Sequence, residues 1–177
     1  GVMINHLGAV NTILDINNRF AVGSADRVLA LSSLSFDLSV YDIFGTLAAG
    51  GTIVIPEAKR DKDPAHWLEL IEKEGVTLWN SVPALMQILV EYTGQRSAKS
   101  LQSLRLALLS GDWLPLTLPK QVKELVDDIE LISLGGATEA SIWSILYPIH
   151  TVEPGWKSIP YGYPMVNQQF HILNQSL

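Results

Sequence analysis

Apolar residues along this chain fall into two rhythms, and the rhythms alternate. Short, nearly all-apolar or β-branched runs at 27–33 ("RVLALSS"), 52–56 ("TIVIP"), 76–82 ("VTLWNSV"), 103–110 ("SLRLALLS"), 129–136 ("IELISLGG") and 143–150 ("WSILYPIH") predict strands. Between them, apolar positions recur three and four residues apart, so 39–50, 63–75, 83–94 and 118–126 are expected to be helices. The second of these carries its own punctuation: Asp63 as cap, Pro64 in the first turn, Trp67, Leu70 and Ile71 on one face, and Gly75 at the close. No element is assigned before residue 27. The last segment, 151–177, is richer in Pro, Gly and Tyr, and predicts a loop followed by a strand over "QQFHIL" at 168–173.

Strands that are apolar on both faces and separated by helices imply an α/β fold, a mostly parallel sheet flanked by helices. Right-handed crossovers gather the strand C-termini on one edge, where open α/β sheets bind ligands. The residues expected there are "SFD" (35–37), Asn80, "SGD" (110–112) and "GGATE" (135–139). The stretch "SLGGATEASIW" (133–143) is the most unusual. Gly135 and Gly136 allow close backbone approach to a flat or charged ligand, and Thr138 and Glu139 add a hydroxyl and a carboxylate. A carboxylate beside bound phosphates calls for a divalent cation between them. A turn with Thr138 or Ser141 capping a short helix would use the same residues. Asp37 lies between apolar neighbours at a strand–helix junction, where an unpaired carboxylate costs roughly several kcal/mol. It either caps the helix or pairs with a ligand cation such as a primary ammonium, and the local pattern leaves both open.

The 177 residues suffice for one domain or part of a larger one. A hydrophobic share of 47% against 17% charged excludes a disordered chain. The net charge of −6 and the lack of a dense basic run count against nucleic acid as a partner. Cysteine is absent, which removes disulfides, thiolate metal sites and a cysteine nucleophile. There is no apolar run of membrane-spanning length, so no membrane partner and a cytoplasmic location are expected. The P-loop, dinucleotide and GxSxG signatures are missing, and the four histidines are scattered without a metal-binding spacing.

In order and spacing, "SFDLSVYDIFGTLAAGGTIVIP", "SGDWLPLTLP" and "GGATEASIWSILYPI" resemble the adenylation domains of nonribosomal peptide synthetases, in the acyl- and aminoacyl-adenylate-forming superfamily. The opening "GVMINHLGAV" is similar to the residues after that family's phosphate loop, and "IPYGYPMVNQQFHILN" to a later family segment. The resemblance covers essentially the whole chain. It implies the central part of the large N-terminal subdomain, truncated at both ends. It also implies a two-step reaction in which ATP and Mg²⁺ activate a carboxylate as an acyl-adenylate. The acyl group then passes to the phosphopantetheine thiol of a carrier domain among neighbouring synthetase domains.

On that template Glu139 would hold the magnesium and Thr138 contact the phosphate. Gly111, Asp112 and the backbone of Ser133, Leu134, Gly135 and Gly136 would frame the adenine. The amino-acid pocket would comprise Asp37, Leu38, Tyr41, Asn80, Leu108, Ser110, Leu134, Ile142 and Trp143, with Asp37 pairing with the substrate's α-ammonium. The string D-L-Y-N-L-S-L-I-W is similar to the pattern associated with cysteine activation. Gly135 stands where the family's adenine-packing tyrosine is usual, and Ala137 replaces a proline. Adenine binding should therefore lean on backbone contacts, with Leu134 supplying some packing. Without the family's phosphate loop, ribose-binding aspartate and catalytic lysine, the fragment alone is expected to be inactive. Two alternatives stand beside this one: an acyl or aryl acid ligase of the same superfamily, and a non-catalytic binding or scaffolding piece.

Overall fold

The computed structural model describes residues 1–94 and 101–174. Its helices are α1 (His6–Arg19), α2 (Leu38–Val40), α3 (Thr46–Ala48), α4 (Pro64–Glu74), α5 (Pro83–Gly94) and α6 (Leu118–Lys123). Its strands are β1 (Arg27–Leu29), β2 (Thr52–Val54), β3 (Leu78–Ser81), β4 (Leu106–Leu109), β5 (Glu130–Gly135), β6 (Ile145–Pro148) and β7 (Tyr163–Pro164). One sheet joins them in the order β2-β1-β3-β4-β5-β6-β7. The first five in sequence pair in parallel, β6 pairs antiparallel with β5, and β7 antiparallel with β6. The turn after β5 is too short for a crossover helix, so β6 can only return alongside it.

Alternation along the parallel strands feeds two cores. Leu29, Trp79, Ala107, Leu109 and Leu131 pack with Trp67, Ile71, Met86 and Leu118 on the face covered by α4, α5 and α6. Val28, Leu78, Leu106, Leu108 and Ile132 pack with Ile13, Ile16, Leu38 and Tyr41 on the other. Both faces are dry, which is why the strands read as continuous apolar runs rather than alternating ones. Trp67 and Trp79 meet edge-on at 5.9 Å and are essentially fully buried, each contributing roughly 2–3 kcal/mol through area removed from water.

Three local readings change. α1 exists although no element is assigned there: the Asn5 side chain caps it by accepting from Gly8 N–H at 2.8 Å, and Ile13, Ile16 and Phe20 turn into the core. The expected helix at 39–50 is α2 and α3 joined by a π-helical stretch, Tyr41–Gly45. The expected strand at 168–173 does not form. Only Tyr163–Pro164 adds to the sheet, while Ile172 and Leu173 stand exposed with no strand to pair with.

At the opposite end of the strands from their C-terminal edge, Arg105 donates to Asp26 at 2.7 and 2.8 Å and to the Phe20 carbonyl at 3.0 Å. Burial would raise the Asp26 pKa, but hydrogen bonds from Arg105, Gly23 N–H and Thr77 outweigh it and hold the group below its ordinary value. This network ties the end of α1 to the sheet. Among the described residues no helix is long and apolar enough to cross a membrane.

Candidate functional site

The C-terminal ends of β4 and β5 open into two adjoining cavities. One, of about 310 Å³, is lined by Gly111, Asp112, Ser133, Leu134, Gly135 and Gly136, with Trp113, Leu114 and residues 158–161 opposite. All six belong to the predicted nucleotide set. The other, of about 220 Å³, is lined by Asp37, Leu38, Ser110, Ile142 and Trp143 of the predicted amino-acid set, with Phe36, Gly111, Gly136, Ala137 and Thr138. Gly111 and Gly136 border both, so a ligand in one can reach the other past backbone alone.

Asp37 stands at the N-cap position of α2, yet its side chain makes no capping hydrogen bond. Its Oδ2 instead accepts from Thr138 Oγ1 at 2.6 Å, across the 220 Å³ cavity. The carboxylate is half-buried rather than enclosed among apolar groups, as the sequence context suggests. It has room for a further donor.

Trp143 sets the depth of this cavity. Its Nε1–H donates to Ser110 Oγ at 2.9 Å, and its ring packs on Tyr41 at 5.2 Å and 54°. Tyr41 is fully buried and donates to Asn17 Oδ1 at 2.9 Å. Of the predicted pocket residues, Tyr41, Asn80 and Leu108 line neither cavity; they lie fully buried, and Leu134 faces the larger one. Glu139 lies in neither wall. It is exposed on the single 3₁₀ turn Thr138–Ala140.

The turn after that 3₁₀ segment is strained. Ser141 and Ile142 take φ of 67° and 72°, and for a β-branched residue this is an outlier costing about 1–3 kcal/mol. The strain directs Ile142 into the wall of the cavity. Opposite, the Tyr161 ring lies over Gly135: a Cβ at 135 would stand 2.7 Å from its edge. The aromatic that the sequence lacks at 135 thus arrives from another segment.

Asp42 is a buried acid that the sequence reading does not single out. It is 1% exposed and accepts from Asn80 Nδ2 at 2.7 Å, and the same amide also donates to the Leu38 carbonyl at 3.3 Å. Among the described residues its Oδ2 has no hydrogen-bond partner, while the Ser32 backbone and side chain act on the carboxyl group to lower its pKa. Burial pushes its pKa from 3.8 up to about 7, with Asn80 and Ser32 opposing. A carboxyl that holds its proton more tightly when folded contributes stability fully below about pH 4 and loses it as pH rises through about 7. Asp42→Asn should therefore flatten a decline in unfolding free energy on the order of a few kcal/mol between pH 4 and 7. Urea unfolding of the intact protein across that range checks it, and an unchanged slope refutes it. An acid among the apolar residues of "LSVYDIFG" was the signal available for Asp42.

A family model described as AMP-binding enzyme matches residues 1–177, the whole chain. The chain belongs to the AMP-binding enzymes. It is 50% identical over 174 residues to the anguibactin system regulator of Vibrio anguillarum, covering 98% of this chain and 17% of that protein. It is 51% identical over 176 residues to bacitracin synthase 1 of Bacillus licheniformis, covering 99% of this chain and 3% of that protein. The solved nonribosomal peptide synthetase FmoA3 superposes with a TM-score of 0.95 at 46% identity, over 99% of this chain and 19% of FmoA3. The chain thus spans a small part of the AMP-binding relatives it matches, and its α/β sheet is the fold of their adenylation core.

Proposed function

We propose that this chain carries the amino-acid cavity and part of the nucleotide cavity of an adenylating enzyme of the nonribosomal peptide synthetase type. In this reading the larger cavity takes the adenine of ATP, between the Ser133–Gly136 backbone and Tyr161. The smaller takes an amino acid. The observation that carries the reading is Asp37: a carboxylate at the cavity wall, without a capping hydrogen bond, that accepts from Thr138 Oγ1 at 2.6 Å. An α-ammonium placed there completes its coordination, and charge-assisted hydrogen bonds of this kind fix substrate orientation. A carboxylic acid without an ammonium would meet Asp37 as a like charge, which disfavours the acyl or aryl acid ligase alternative.

Glu139 fits Mg²⁺ as a single carboxylate ligand on an exposed turn. No group of three or more His, Cys, Asp or Glu side chains is gathered to hold a metal among the described residues, so phosphate and water oxygens would complete the shell. Bound Mg²⁺ supplies neutralisation of phosphate charge. Thr138, held by its hydrogen bond to Asp37, would contact the phosphate, and Gly111 and Gly136 keep the path between the cavities clear. The activated acyl group would pass to a carrier-domain phosphopantetheine thiol.

The substrate we infer is cysteine, supported by the resemblance of the pocket string and by a cavity closed by Trp143 to a short side chain. A serine-type substrate is a second reading, favoured by the FmoA3 structure in its alpha-methyl-L-serine-AMP bound form. The Vibrio cholerae adenylation domain AlmE, in complex with glycyl-adenosine-5'-phosphate, also bears on a small substrate, at 28% identity and a TM-score of 0.81. The test is amino-acid-dependent ATP–pyrophosphate exchange on the full-length protein, with cysteine and serine side by side. Cysteine is expected to exceed serine by about tenfold or more. Serine ahead would establish the second reading, and no exchange with any amino acid would leave a non-catalytic binding piece.

A further inference from the structure

α1 presents a stripe at Gly8, Asn11, Thr12 and Asp15, spaced i, i+3, i+4, i+7, so all four project from one face. None of these residues lines the 220 Å³ cavity, but Gly8 and Thr12 meet Ser141, the chain neighbour of Ile142 in its wall. Thr12, fully buried, donates from Oγ1 to the Ser141 carbonyl at 2.8 Å, with the Trp143 carbonyl at 3.5 Å. Gly8 leaves space into which the Ser141 hydroxyl fits; a Cβ there would overlap that oxygen. Asn11 donates to the Val166 carbonyl at 2.8 Å, and Asp15 accepts from Val166 N–H at 2.8 Å.

The Thr12 contact bears on the wall itself. Ser141 and Ile142 are consecutive left-handed residues without glycine, and such a turn persists only where its surroundings over-determine it. The Thr12 hydroxyl holds the first carbonyl of that turn, the Trp143–Ser110 hydrogen bond holds the end, and Ile142 lies between them in the cavity wall. We propose that Thr12 is a positioning residue for the amino-acid cavity, fixing through the Ser141 carbonyl the strained turn that aims Ile142 and Trp143 at the substrate. The inference rests on the adenylation reading. Thr12 touches no reactant. It acts by removing the freedom of the turn to relax toward ordinary backbone angles, which would move two wall residues together.

Three full-length proteins test this: wild type, Thr12→Val and Thr12→Ser. Valine keeps the shape and removes the donor, whereas serine keeps the donor. Pyrophosphate exchange is measured against amino-acid and ATP concentration, with thermal unfolding alongside. In Thr12→Val the amino-acid KM should rise about tenfold and the cysteine-to-serine ratio should fall. The ATP KM and kcat should stay within about twofold, and Thr12→Ser should return the amino-acid KM to within about threefold of wild type. Active wild type with an unchanged amino-acid KM in Thr12→Val overturns the positioning role alone. Parallel losses for amino acid and ATP, or a valine protein that fails to fold with no separate effect in serine, show a merely structural contact and overturn it as well. An inactive wild type overturns the adenylation reading and this inference with it.

Discussion

Asp37→Ala should lower amino-acid-dependent pyrophosphate exchange about 10²-fold or more while leaving the fold intact. The side chain makes no capping bond, and its recorded protein partner is the Thr138 hydroxyl at 2.6 Å, so α2 loses little when it goes. The substrate loses much more. Removing one member of a desolvated, hydrogen-bonded charge pair costs on the order of 3 kcal/mol, and each 1.4 kcal/mol is about a factor of ten. The half-exposed setting of Asp37 keeps the expectation at the lower end of that class. Thermal unfolding and exchange kinetics on the full-length variant check the two halves separately. Retained exchange would mean that Asp37 does not hold the substrate's ammonium.

Gly136→Ala should be the most damaging single methyl in the site. A Cβ at 136 would stand 2.8 Å from Trp143 Cα and 2.9 Å from both the Ile142 oxygen and the Ser144 nitrogen. All three are backbone atoms, and the Ser144 amide is itself held by the Gly135 carbonyl at 2.9 Å. Nothing there can rotate away, so either β5 and β6 separate or the 141–143 turn shifts. A cost on the order of 3 kcal/mol is expected, with loss of exchange because Gly136 borders both cavities. Gly135→Ala provides the contrast. Its Cβ would approach the Tyr161 ring at 2.7 Å and the Ile145 Cγ2 methyl at 2.9 Å, both side-chain atoms, and Tyr161 is a largely exposed ring with Phe170 edge-on beside it at 6.0 Å. That variant should lose about 1 kcal/mol and weaken ATP more than the amino acid. Equal thermal unfolding for wild type and Gly136→Ala would refute the close backbone approach.

Much of the site was legible because its signals are local. Two glycines after an apolar run, an acid and hydroxyl beside them, and an acid at a strand–helix junction all occur within a few residues of a strand end. Six residues of the expected nucleotide set line the larger cavity, and Asp37, Leu38, Ser110, Ile142 and Trp143 line the smaller. The placement of Tyr41, Asn80 and Leu108 behind the wall was not legible, since a family pattern marks positions without saying which reach the cavity surface. Tyr161 over Gly135 could not be read either, because the pair is separated by a hairpin and a loop. α1 was passed over although Asn5 and the spacing of Ile13, Ile16 and Phe20 mark it. Its polar stripe interrupts the apolar rhythm that identifies the other helices.

By itself, the sequence determined the α/β class, the places of β1 to β6 along the chain and the edge where ligands are expected. These follow from hydrophobic period, caps and glycine, whose energetics act within a few residues. Only the tertiary structure decided which way Asp37 turns, that Ser141 and Ile142 are strained and held by Thr12, that Asp42 is sealed with Asn80, and that 168–173 finds no strand to join. Each depends on a partner far along the chain. A hydrogen bond or clash between such residues exists only once the sheet has set the distance between them.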